Sequence, residues 1–204
     1  LDDKSPNVAA RAALGLAQLR AVEALPRLLH YARDPSEVTR QYVLAALGPC
    51  HSYEREPALS DSALIVVLKG LRSAKVKWRI AALQSLREFG YKDGVEGVIR
   101  MTRDPSAEVR HVAVQALGHI GSRQHVGDEG PDPIHPISER ELDNVLEALL
   151  ASLDENEVQS VRTKAVRALG VVGDARVRKT LEELVRVGGE EDRTEAMRAL
   201  EKLR

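Results

Sequence analysis

One phrase occurs twice in this chain. The stretch Asp34-Pro35-Ser36-Glu37-Val38-Thr39-Arg40, running on to Leu47-Gly48, superimposes without a gap on Asp104-Pro105-Ser106-Ala107-Glu108-Val109-Arg110, running on to Leu117-Gly118. The same frame fits four further segments, and the column led by Arg110 then reads Ala9, Arg40, Arg79, Arg110, Arg162 and Arg193. Successive members lie 31, 39, 31, 52 and 31 residues apart, a basic period of 31 with insertions of 8 and 21. A unit this short cannot bury an apolar face by itself. It must stack on its neighbours, so the repeat limits the chain to an array.

The columns identify the unit. Three positions after the arginine stand Ala12, Val43, Ala82, Ala113, Ala165 and Ala196, and seven after it Leu16, Leu47, Leu86, Leu117, Leu169 and Leu200. With the small column of Gly15, Ala46, Ser85, Ala116, Ala168 and Ala199, and that of Leu19, Cys50, Phe89, Ile120, Val172 and Leu203, the apolar spacing is that of one helical face. Six positions before the arginine are Asp3, Asp34, Ser73, Asp104, Asn156 and Val187; the first five read as N-caps, with Pro35 and Pro105 at the first helical position. A second amphipathic stretch precedes each such helix, at 22–32, 63–71, 94–102, 142–153 and 176–185. No segment sustains a two-residue alternation.

This reading predicts an all-α protein of about eleven main helices in a single array over 1–204. The second helix of a truncated repeat occupies 1–20, complete repeats fall at about 21–50, 58–90, 91–121, 138–173 and 174–204, and insertions at about 49–57 and 122–137. The start at Leu1 on an unpaired second helix reads as a fragment.

The unit carried most fully by Asp104 to Gly121, Asp-Pro-Ser-x-x-Val-Arg-x-x-Ala-x-x-Ala-Leu-Gly-x-Ile-Gly, resembles the short HEAT-like repeat of the phycobilin-lyase type. The resemblance covers nearly the whole chain and implies a right-handed α-solenoid with the second helices on the concave side. It also implies three functional classes: protein-binding scaffolds, bilin-chromophore lyases or chaperones, and the di-iron enzyme deoxyhypusine hydroxylase. That enzyme needs His-Glu steps, and here His30, His51, His111, His119, His125 and His135 are followed by Tyr, Ser, Val, Ile, Val and Pro. HEAT-like DNA glycosylases use a basic, aromatic-bearing concave face, which one Trp and a net charge of −1 do not supply. A single cysteine, Cys50, permits no intramolecular disulfide, and no apolar run approaches the ~18 residues of a membrane span. A cytoplasmic location is the expectation.

Three features compete as sites. The arginine column is suited to a polyanion or acidic peptide, or to pairing with an aspartate or carbonyl of an adjacent repeat, with Asp34, Asp104 and Asp154 in the loops where such partners are needed; the structural use is favoured. The segment 62–87 holds no acidic residue and carries Lys69, Arg72, Lys75 and Lys77 around Trp78, a basic turn for phosphate or an acidic partner, although Trp78 falls in a packing column. The exposed stripe of the second helices, Gln41, Ile80, Gln84, His111, Gln115, Thr163 and Arg167, suits an extended peptide or a helix, with many modest contacts. The loop at 122–137 carries His125, Asp128, Glu129, Asp132 and His135 without a recognised ligand spacing, and Cys50-His51 falls in the core column. No metal or cofactor is expected. The function expected is that of a non-enzymatic scaffold binding a protein or peptide along the concave face, with bilin lyase or chaperone as the alternative, nucleic-acid or polyanion binding near Lys75 a weaker one, and oligomeric state open.

Overall fold

The computed structural model describes residues 1–52, 54–89, 92–122 and 137–203. Among them there is no strand, and eleven α-helices account for the regular structure. Six are the second helices of the repeat: α1 (Pro6–Gln18), α3 (Glu37–Leu47), α5 (Val76–Phe89), α7 (Ala107–Ser122), α9 (Gln159–Val172) and α11 (Glu190–Lys202). Five are first helices: α2 (Leu25–Tyr31), α4 (Pro57–Gly70), α6 (Lys92–Met101), α8 (Glu139–Ala151) and α10 (Arg178–Val187), with single 3-10 turns at Val22–Ala24 and Ala175–Val177 leading into α2 and α10. Helix α4 starts at Pro57, six residues ahead of the expected 63, because the proline supplies a first-turn residue whose missing N–H costs nothing.

The chain divides into two compact units, 1–89 and 90–204. In the first, α1, α3 and α5 pack side by side as one row and α2 and α4 form the other. In the second, α7, α9 and α11 form the row, α6 packs on α8, and α10 packs on α11. The repeat columns point into these rows. Val43, Ala82, Ala113, Ala165 and Ala196 are buried, as are Leu47, Leu86, Leu117 and Leu169. The first helix departs: Leu19 is 79% exposed and Leu16 half-buried, because α1 packs chiefly on α3 and its other apolar side meets no helix.

Small residues set how close the row helices come. Eight positions after the arginine, Gly48, Gly118 and Gly170 face Ser85, Ala168 and Ala199, each six positions after the next repeat's arginine. A Cβ on Gly118 would lie 2.7 Å from the Ala168 Cβ, and one on Gly48 would lie 2.2 Å from the Ser85 carbonyl oxygen. Neither distance is tolerated, so the Leu-Gly step of the repeat is a contact between backbones.

The expected N-caps sit two residues too early. The helices begin after Ser5, Ser36, Val158 and Gly189, and the loop aspartates act upstream of the caps, Asp34 by two residues and Asp154 by four, closing side-chain turns. Asp34 Oδ1 accepts from the Ser36 N–H at 2.7 Å, Asp104 Oδ1 from Ser106 at 2.9 Å and Asp154 Oδ1 from Asn156 at 2.8 Å. Pro35 and Pro105 therefore lie within these turns, ahead of the helices. The candidate ligands His125, Asp128, Glu129, Asp132 and His135 lie outside the described residues.

Candidate functional site

In every second helix the column residue is the fourth helical residue, which in all but α1, where Ala9 stands, aims an arginine back at the loop it has just left. Arg110 Nη1 donates to the carbonyls of Asp104 (2.8 Å) and Pro105 (3.1 Å). Arg79 Nη1 does the same to Ser73 (2.8 Å) and Ala74 (3.1 Å), Arg40 Nη1 to Asp34 and to Pro35 (3.0 Å), and Arg162 Nη1 to Glu157 (2.7 Å). Arg193 Nη2 reaches the Gly188 carbonyl at 3.2 Å. The loop carbonyls that would otherwise need water are thus met by charged donors. The arginine column is spent structurally, as the sequence favoured, but on the turns of its own repeats where a partner in an adjacent repeat was expected.

Three of these guanidinium groups, those of Arg40, Arg110 and Arg162, also engage the next repeat. Arg110 forms a two-bond ion pair with Glu157 (2.6 and 2.7 Å), which holds the Glu157 carboxyl below the usual carboxylate range. Arg162 Nε meets Asp192 at 3.4 Å, and buried Asp192 also accepts from Gln159 (2.9 Å) and the Thr163 hydroxyl (2.8 Å). Arg167 grips buried Glu195 at 2.7 and 3.0 Å and lowers its pKa. Arg40 instead lies 5.1 Å over the ring centroid of Trp78, a cation–π contact.

The stripe residues are placed unevenly. Gln84 and Gln115 are exposed at the same repeat position on α5 and α7, whereas Gln41, Ile80 and His111 are half-buried. Burial, then Lys164, pushes the His111 pKa down. Thr163 and Arg167 are engaged by α11, as described above.

The basic segment separates into two parts. Lys75 pairs with Glu37 and lowers its pKa, while Lys77 stands exposed. Lys69 and Arg72 instead join Arg33 and Arg40 at a groove of about 790 Å³ between α2 and α4. Its floor is apolar: Leu29, Leu44, Ile65, Val66 and the half-buried Trp78, with Ile65 54% exposed. No carboxylate lines it, and Arg33, Lys69 and Arg72 have no carboxylate in ion-pairing reach among the described residues. Sequence reasoning found Lys69, Arg72 and Trp78 but missed Arg33, just after α2, and the aliphatic floor, which Leu29 of α2, Leu44 of α3 and Ile65 and Val66 of α4 supply.

Other reactive groups are used structurally. Cys50 is buried, its thiol pushed up to about 11 by that burial, and its Sγ donates to the Leu16 carbonyl. The His51 ring stacks on Phe89 with centroids 4.3 Å apart. Among the described residues, no three His, Cys, Asp or Glu side chains gather as metal ligands, and no helix is long and apolar enough to cross a membrane.

These features are those of stacked helical repeats, and comparison agrees. Residues 64–127 match the family model of HEAT repeats. The structure is similar to that of an engineered protein solved by a structural genomics consortium (TM-score 0.62, 21% identity, covering 100% of this chain and 93% of that one). It is similar to a designed armadillo repeat protein solved with the peptide (KR)4 (0.61, 19%, 95% and 92%), and to human deoxyhypusine hydroxylase (0.53, 16%, 99% and 81%). Residues 64–127 carry HEAT repeats, and the chain has the all-helical fold of HEAT and armadillo α-solenoids. None of the curated proteins matches it.

Proposed function

We propose that this chain is a non-enzymatic scaffold that binds a polypeptide partner along its second helices. One observation carries the reading: Gln84 and Gln115 recur at the same repeat position, exposed and uncharged, while the arginines beside them are committed to loops and neighbouring helices. In each unit, a second helix whose column arginine is already paired offers a neutral hydrogen-bonding group, a surface suited to an extended segment. The likeness to an armadillo protein solved with a peptide supports this use of the fold. Dioxygen chemistry of the hydroxylase kind is disfavoured, because no histidine of the chain is followed by glutamate.

The test is affinity purification with the chain and with its Gln84→Glu, Gln115→Glu variant. Both positions are exposed, so the thermal midpoint should stay within the small range of surface changes. Partners retained by the parent should be lost from the variant. Equal recovery from both would remove the stripe as the binding surface.

A further inference from the structure

The α2–α4 groove lies outside that stripe and combines two properties rarely left open together. Its floor exposes aliphatic and indole surface, and its rim holds three cations, Arg33, Lys69 and Arg72, with no carboxylate to balance them. The chain as a whole is almost neutral, at −1, so this imbalance is local. The acid at this corner, Glu37, is paired with Lys75, and Arg40 is held by the loop carbonyls and the Trp78 face. What is left uncompensated is apolar area beside positive charge. A volume of about 790 Å³ falls in the range of ~300–1,000 Å³ typical of ligand sites, enough for a few side chains and too little for a folded domain.

We propose that the groove binds an acidic peptide segment with a bulky aliphatic anchor, the anchor seated on Leu44, Ile65 and Trp78 and the flanking carboxylates on Arg33, Lys69 and Arg72. The anchor removes exposed apolar surface from water, and the carboxylates supply the partners the rim lacks. A single-stranded nucleic acid fits less well. It would need successive stacking platforms, and Trp78 is the one aromatic in a floor that is otherwise aliphatic. The proposal rests on the chain being a polypeptide binder but does not need the Gln84 and Gln115 stripe.

Trp78 is the chain's only tryptophan, so its fluorescence reports on this groove alone. Titration with the peptide DEELLDEE should give a saturable change in emission that weakens as salt rises from about 50 to about 500 mM. DEESSDEE, lacking the anchor, and SGSLLSGS, lacking the charges, should each bind at least about tenfold more weakly, as should DEELLDEE to the Lys69→Glu, Arg72→Glu variant. That variant alters exposed side chains, and an unchanged circular dichroism spectrum checks its fold; Ile65→Asp tests the floor separately. No response to DEELLDEE, undiminished binding by the charge-reversed variant, or tighter binding of a short oligothymidylate would overturn the proposal. The Gln84→Glu, Gln115→Glu variant should bind the peptide like the parent, so failure of the groove and failure of the stripe are read independently.

Discussion

The joint between α3 and α5 and the joint between α9 and α11 use the same positions of the repeat with different chemistry. In each, an arginine that clamps its own loop leans on the residue just before the next repeat's arginine. In the first unit that residue is Trp78, and the contact is a guanidinium over an indole face. In the second it is Asp192, 4% exposed, and the contact is an ion pair elaborated by Gln159 and Thr163. Where Val161 fills that position, between α7 and α9, the partner moves four residues back to Glu157. The arginine is therefore kept for its loop, and what it meets in the next repeat is exchangeable. The exchange has a cost in water: the aromatic version leaves Trp78 on the floor of an open groove, and the carboxylate version seals its joint.

Breaking the sealed joint should have the largest effect. Asp192→Val removes the ion-pair partner of Arg162 and the acceptor of two more donors, and should destabilise the protein by about 3 kcal/mol, the scale of a broken buried pair. Trp78→Val, which leaves Arg40 its two carbonyls, should cost clearly less in the same denaturant titration. Similar losses would mean that the two joints are energetically alike.

A second contrast separates close approach from helix propensity. Gly118→Ala drives a methyl group into Ala168 and should cost about 1–3 kcal/mol. Gly15→Ala, on α1 where nothing lies within 4 Å of the new methyl, should instead stabilise by up to about 1 kcal/mol. Matching signs in thermal unfolding would refute the backbone contact.

Acid should distinguish the units more gently. Glu157 and Glu195 are lowered in the folded protein, chiefly by hydrogen bonds from Arg110 and Arg167. Their contribution is present above the ordinary carboxylate value of 4.5 and is lost as pH falls through the lower folded values. Their side chains are 14% and 9% exposed, against 46% for Glu37 in the α3–α5 joint. Amide protection in α7, α9 and α11 should accordingly fade with acid before that in α3, and Glu157→Gln should flatten the dependence. The smallest change concerns Ser85, whose hydroxyl is buried without a hydrogen bond where four other repeats have Ala and the first has Gly15. Ser85→Ala should be neutral or stabilise by up to about 1 kcal/mol, and a loss of stability would show that the hydroxyl has a partner.

The repeat frame was legible because each second helix meets the same kind of neighbour, so Leu117 and Leu169 are buried for one reason and their column says so. The arginine column was legible as structural, but its acceptors were not: the carbonyls of a turn leave no mark in sequence, and they proved to belong to the arginine's own repeat. Leu19 misled because a column encodes a neighbour, and α1 lacks one on that side. The groove was half visible. Lys69 and Arg72 stand in a run without acids, whereas Arg33 and Leu44 reach the site through packing of α2 and α3.

The self-clamped turn has a consequence for how such a chain can change length. Because each arginine fastens the hairpin in which it stands, a hairpin brings its own closure when it is copied or removed. What must still match across the seam is short: a glycine against a small residue, and one side chain to receive the guanidinium. Duplication of an internal segment of 31 residues would then create one new seam assembled from pieces already compatible, while the hairpins on either side keep their turns intact.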